Sequence, residues 1–219
     1  MKNETKSETK NETTINHTKI NVILYHGSSR NIHPDDIIFH GLRVDCDFGG
    51  GFYLTEQKHM AEEWVFEDYS PMINEYRLII EKRDVLYLTG IDWLKVILGF
   101  RKNLYPVSFR SPVIHGPIAN DRMFESFIPF MQGAIGDKRL MECLDFCKLG
   151  NQYCLKKPVD GLTFIQSYPL KGLELQKAGE RYRDRRRGLQ QGLREIYRNQ
   201  IPGEKFIDDY LREDAYVQP

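Results

Sequence analysis

The sequence lacks any net charge to steer it, since 31 basic residues balance 31 acidic ones. Nothing global in it attracts a nucleic acid or an anionic membrane. It also lacks an apolar run of membrane-spanning length, and the stretch Val96 to Phe100 is far too short. Cysteines are few (Cys46, Cys143, Cys147, Cys154) and form no CxxC, which excludes a zinc-ribbon spacing. They read as free thiols in a reducing cytoplasm, with Cys143 and Cys147 in a core stripe beside Leu140 and Leu144. His33, His40, His59 and His115 share no ligand spacing with cysteines or acids, so no metal site is expected. Residues 1–19 carry no apolar block, and their Asn, Thr, Lys and Glu content reads as a solvated tail rather than a signal peptide. Without a secretory route, the N-x-[ST] matches at Asn3, Asn11 and Asn16 carry no weight.

What is present is length enough for one real core, 219 residues. The most informative stretch is Asp47-Phe48-Gly49-Gly50-Gly51-Phe52-Tyr53-Leu54-Thr55. Three glycines permit positive φ or close approach of backbone to a ligand. Phe52 to Leu54 reads as a buried aromatic strand, and Thr55 as the cap of a helix over 56–68. Upstream, the β-branched Ile20 to Tyr25 predicts a strand ending at His26-Gly27-Ser28. A brief strand is expected over 43–47 and a loop with one helical turn over 31–41. Further strands are expected over 73–82, 84–88, 113–117, 152–155 and 161–165. Helices are expected over 92–101, 118–131 and 137–149. The mixture has no βαβ rhythm, so the fold class is α+β. Three parts follow: a tail over 1–19, a domain over 20–168, and a polar helical extension over 169–219. In that extension Arg181, Arg183, Arg185, Arg186 and Arg187 crowd together, and such a run reads as a solvated face of a peripheral helix.

Three stretches in order, Leu24-Tyr25-His26-Gly27-Ser28, Gly51-Phe52-Tyr53-Leu54-Thr55 and Asn151-Gln152-Tyr153-Cys154-Leu155, resemble the ADP-ribosyltransferase superfamily in its His-Tyr-Glu branch. The likeness is closest to an uncharacterised bacterial group of ADP-ribosyltransferase-like domains, with Gly116 to Asp121 as a further shared stretch, and covers 21–166. It implies split antiparallel β-sheets flanked by helices, with a cleft for NAD as substrate. His26 would then hold the ribose, and Gly27, Ser28 and Gly51 would line the cofactor. Tyr53 and Trp64 would form the two walls around nicotinamide. Trp93 and Arg101 belong to the resemblance as packing and as a surface or phosphate-side cation.

Gln152 stands where better-known members of the superfamily place glutamate. Glutamine can hydrogen-bond a ribose but cannot supply a full negative charge. Either Gln152 suffices or an acid from elsewhere assists; Asp121 is the foremost outside candidate and reads at least as well as a helix N-terminal carboxylate. The resemblance implies a bacterial, cytoplasmic ADP-ribosyltransferase acting on an unknown protein or nucleic-acid acceptor, with a small antitoxin as partner. A catalytically weak NAD-binding or interaction module and an NAD glycohydrolase are the alternatives.

Overall fold

The computed structural model describes residues 18–40, 42, 44–119, 126–146 and 148–212. The readings made for Asp121, Cys147 and the N-linked motifs fall outside these residues. Among them, seven strands form one mixed sheet ordered β4-β5-β6-β2-β1-β3-β7. The strands are β1 (Lys19–Ser28), β2 (Phe52–Thr55), β3 (Met72–Glu81), β4 (Val85–Tyr87), β5 (Val113–Pro117), β6 (Asn151–Leu155) and β7 (Leu162–Pro169). Their pairings are antiparallel except for β4 with β5, which is parallel. Six α-helices accompany the sheet among the described residues: α1 (Lys58–Val65), α2 (Gly90–Lys102), α3 (Phe127–Met131), α4 (Asp137–Asp145), α5 (Gly172–Arg198) and α6 (Ile207–Arg212). The class is α+β, with helices flanking a sheet and a helical C-terminal part.

Strand alternation builds the two faces. In β6, Tyr153 and Leu155 point to one side, where they pack with Phe52, Leu54, Leu24 and Tyr76. Gln152 and Cys154 point to the other. On that side Cys154 joins the larger cluster built with Trp93, Val96 and Ile97 of α2, Leu140 and Leu144 of α4, and Ile207 and Tyr210 of α6.

The sheet is narrowest in its middle. β1 and β3 pair over ten residues, but β1 and β2 share the single register pair Tyr25↔Thr55. Helix α1 is seated beside this junction. A Cβ on Gly27 would lie 2.2 Å from the Ala61 carbonyl, so only glycine allows the helix this close.

Several expectations are corrected. Among the described residues of the strand expected over 43–47 none is extended: Val44 to Cys46 run as bends and Asp47-Phe48 as a turn. Thr55 is the last residue of β2, and Gln57 stands at the N-cap position of α1, with no side-chain capping hydrogen bond. The Thr55 hydroxyl accepts from the Gln57 N–H at 3.1 Å and donates to the Asn151 carbonyl at 3.1 Å, so it ties the strand end rather than the helix. Ile118 and Ala119 are not helical; helix is described only from Phe127.

The C-terminal extension is docked rather than peripheral. Ala178, Leu193, Ile207 and Tyr210 are buried. Arg139 of α4 donates to Glu204 at 2.8 Å and to the Tyr197 carbonyl at 3.0 Å. The Tyr210 hydroxyl donates to Asp137 at 2.8 Å. Burial alone would raise the Glu204 carboxyl, but the hydrogen bonds and charge of Arg139 outweigh it and hold the group below its ordinary value.

Candidate functional site

On the Gln152 face of the sheet lies a cavity of about 520 Å³, a size that suits a small organic ligand. Its apolar floor is a small cluster of Met60, Ile118 and Leu149. Tyr53 of β2, Trp64 of α1 and Gln152 of β6 all line it. Register explains two of the three: Tyr53 pairs with Cys154 and Thr55 with Gln152, so these side chains share one face of adjacent strands. Trp64 is 37% exposed although its helix neighbours Glu63 and Val65 are buried, as befits a side chain on a cavity wall rather than in the core.

Gln152 is 3% exposed and held from two sides. Its amide nitrogen donates to Asp47 Oδ2 at 2.5 Å and to the Pro117 carbonyl at 3.3 Å. Both partners are acceptors, so the amide orientation follows from the network. With its N–H groups so directed, Oε1 is the acceptor of the amide that remains. Asp47 is 4% exposed and was not singled out from the sequence. It also accepts from the Ala119 N–H at 2.9 Å and pairs with the Arg101 guanidinium. Arg101 in turn donates to the Ala119 carbonyl at 3.1 Å. It is therefore no surface cation but the counter-charge to a buried carboxylate at the cavity. Its neighbour in the motif, Trp93, packs as expected, 3% exposed with its indole N–H on the Pro117 carbonyl at 2.9 Å.

The glycine turn has a different task from the one read in the sequence. Residues Asp45 to Asp47 line the cavity, whereas Gly49, Gly50 and Gly51 do not. Gly49 takes φ of 71°. The Tyr53 hydroxyl closes the turn, donating to the Gly49 carbonyl at 2.7 Å and accepting from the Phe48 N–H at 2.9 Å. Lys156 donates to the Phe48 carbonyl at 2.6 Å and also to Gly50. Gly51 allows close approach to β6, since a Cβ there would lie 2.3 Å from Cys154 Sγ. The turn thus positions Asp47 against Gln152. Burial pushes the Tyr53 phenol far above its ordinary value and the Cys154 thiol up to about 11, so neither ionises near neutral pH.

His26 is not brought into the cavity. Its ring stands 4.4 Å from that of Phe52, on the sheet face opposite Tyr53 and Gln152. Nδ1 lies 2.7 Å from the Tyr53 carbonyl, an acceptor, so Nδ1 carries the proton and Nε2 is the free lone pair. Burial lowers its pKa to about 4, against the opposing effect of that backbone hydrogen bond, so the ring is neutral near pH 7. Gly27 lies against α1, and Ser28 accepts from the Asn74 amide at 3.0 Å, so these two are also occupied in structure.

The arginine run is divided by the fold. Arg183, Arg186 and Arg187 are exposed, as the sequence suggests for all five. Arg181 and Arg185 instead meet the buried carboxylates of α1: Arg181 bonds Glu62 at 2.5 Å and Arg185 bonds Glu63 at 2.8 Å. Burial raises the Glu63 carboxyl, an effect only partly offset by the two arginines. Glu63, Arg185 and Tyr182 also line the cavity, so one of its walls comes from α5. No group of His, Cys, Asp and Glu suited to a metal ion occurs among the described residues. No helix among them is long and apolar enough to cross a membrane.

A family model described as "Protein of unknown function (DUF3990)" matches residues 22–164, well over half of the chain. No curated protein and no solved structure matches significantly.

Proposed function

The chain belongs to this family of unknown function, and we propose from its cavity that it cleaves NAD⁺ at the nicotinamide–ribose bond and transfers ADP-ribose to an acceptor. The observation that carries this reading is the meeting of Tyr53, Trp64 and Gln152, from three separate elements, at one cavity. These are three of the residues that the resemblance to ADP-ribosyltransferases marks, and Gln152 is far from the other two in sequence.

The chemistry fits the residues. As the C–N bond breaks, its electron pair leaves with neutral nicotinamide and positive charge grows on the ribose. An acceptor nucleophile then takes the sugar carbon and releases its own proton. Groups that favour the growing charge lower the barrier. Gln152 Oε1 accepts a ribose hydroxyl, and the Asp47 carboxylate behind the amide polarises it, making the oxygen more negative. Asp47 is then the acid from elsewhere, acting through Gln152 rather than on the sugar. Tyr53 and Trp64 bracket the nicotinamide ring.

A second reading, an NAD⁺-binding module without turnover, is favoured by the position of His26 on the opposite sheet face. Purified protein incubated with NAD⁺ labelled on adenine separates these. Label on a macromolecule supports transfer, free labelled ADP-ribose supports hydrolysis, and unchanged NAD⁺ supports the module. In the enzyme, Gln152→Ala lowers turnover far more than NAD⁺ affinity. Equal turnover in that variant removes Gln152 from the mechanism.

A further inference from the structure

Helix α5 begins at Gly172, beyond the last residue of the family-matched stretch, yet Tyr182 and Arg185 of this helix line the cavity. Its seat on α1 is specific. Arg181 and Arg185 are one helical turn apart and so share a face, and they reach the adjacent buried carboxylates Glu62 and Glu63. This holds Tyr182, next to Arg181, at the C-terminal end of α1. There its ring stands 5.2 Å from that of Phe66, tilted by 45°. Both rings are half-buried and both line the cavity, as does the exposed carboxylate of Glu67 beside them. A Cβ on Gly179 would stand 3.4 Å from the Phe66 ring, an ordinary contact distance, so the ring packs beside α5 at this glycine.

Besides Tyr53 and Trp64, the cavity is therefore lined by a contacting pair of rings, Phe66 with Tyr182, on its helical wall. Two flat surfaces in one cavity suit a ligand with two flat rings. A carboxylate beside the second pair suits a ring that carries an amino group to donate. We infer that Phe66, Tyr182 and Glu67 form a second ring subsite, which takes the aminopurine half of the dinucleotide, so that α5 sets the specificity of the site. This rests on the NAD⁺ reading above. The rings supply stacking and the Glu67 carboxylate accepts from the exocyclic amine. Arg185, already engaged with Glu63, positions the wall rather than the ligand.

Calorimetric titration of the full chain with NAD⁺ and with nicotinamide mononucleotide, which lacks the purine half, tests this. Wild type is expected to bind NAD⁺ the more tightly. Tyr182→Ala should weaken NAD⁺ binding about tenfold or more, as for loss of one stacking ring, and leave the mononucleotide unchanged. Tyr182→Phe keeps the ring and should bind NAD⁺ like wild type. Equal losses for both ligands in Tyr182→Ala, or no loss for NAD⁺, would overturn the subsite while leaving the NAD⁺ reading intact. Wild type that binds the two ligands equally would also overturn it, because the purine half then makes no contact. Wild type that binds neither ligand sinks the NAD⁺ reading and the subsite with it.

Discussion

Replacing Gln152 by glutamate makes the side chain resemble the better-known ADP-ribosyltransferases and should nevertheless damage this protein. The new carboxylate would sit where an amide now donates to Asp47 Oδ2 at 2.5 Å. Two full charges about 3 Å apart repel by roughly 5 kcal/mol at an effective dielectric constant of about 20. The alternative is to keep one carboxyl protonated. For a glutamate with an ordinary value near 4.3, that costs about 4 kcal/mol at pH 7. Protonation is the cheaper escape, so the pair shares one proton and one of its pKa values is raised. The sign follows: a carboxyl whose folded pKa lies above its unfolded value holds a proton that the unfolded chain has released, so stability falls as pH rises between the two. Gln152→Glu is therefore expected to lose up to about 4 kcal/mol at pH 7. The deficit should shrink by about 1.4 kcal/mol for each pH unit down towards 5. Urea unfolding of wild type and variant at pH 5, 6, 7 and 8 measures it. A variant as stable as wild type, with a difference independent of pH, would refute the contact between Gln152 and Asp47 and the role assigned to it.

Other expectations follow from the same structure. Arg185→Ala leaves the buried Glu63 without its nearest partner and should cost about 3–5 kcal/mol, and Glu63→Gln in the same chain should recover much of it; chemical denaturation of the two single variants and the double variant reads the coupling. The lowering of His26 from 6.5 to about 4 means that the unfolded chain binds the extra proton first, so about 3 kcal/mol of stability present above pH 6.5 is lost as pH falls through 4. His26→Asn should remove that part of the acid sensitivity, which parallel pH series of thermal melts would show. Tyr53→Phe deletes the hydroxyl that bridges Gly49 and Phe48 and should destabilise by about 1–3 kcal/mol while NAD⁺ affinity persists; a large loss of affinity in the folded variant would mean that the hydroxyl, not the ring, meets the ligand.

Much of the architecture is written locally. The β-branched run of β1, the alternation of Tyr76, Leu78 and Ile80 in β3, and the 3.6-residue spacing of Trp93, Val96 and Ile97 each declare their element and buried face, because both periods are backbone geometry. Tyr53 and Gln152 were legible through their motifs, and adjacent strands put them on one face. What the tertiary structure alone decided is which polar groups meet. Asp47 finds Gln152 across 105 residues, and Arg181 and Arg185 find Glu62 and Glu63 across 119 and 122. No local period encodes such pairs. An arginine run on a helix has the same sequence whether water or a buried carboxylate faces it. The choice falls to the partner, since a buried charge is tolerated only where an opposite charge and hydrogen bonds replace its water. The same reason hid Arg101, whose partner is defined only once the glycine turn has folded Asp47 back beneath β6.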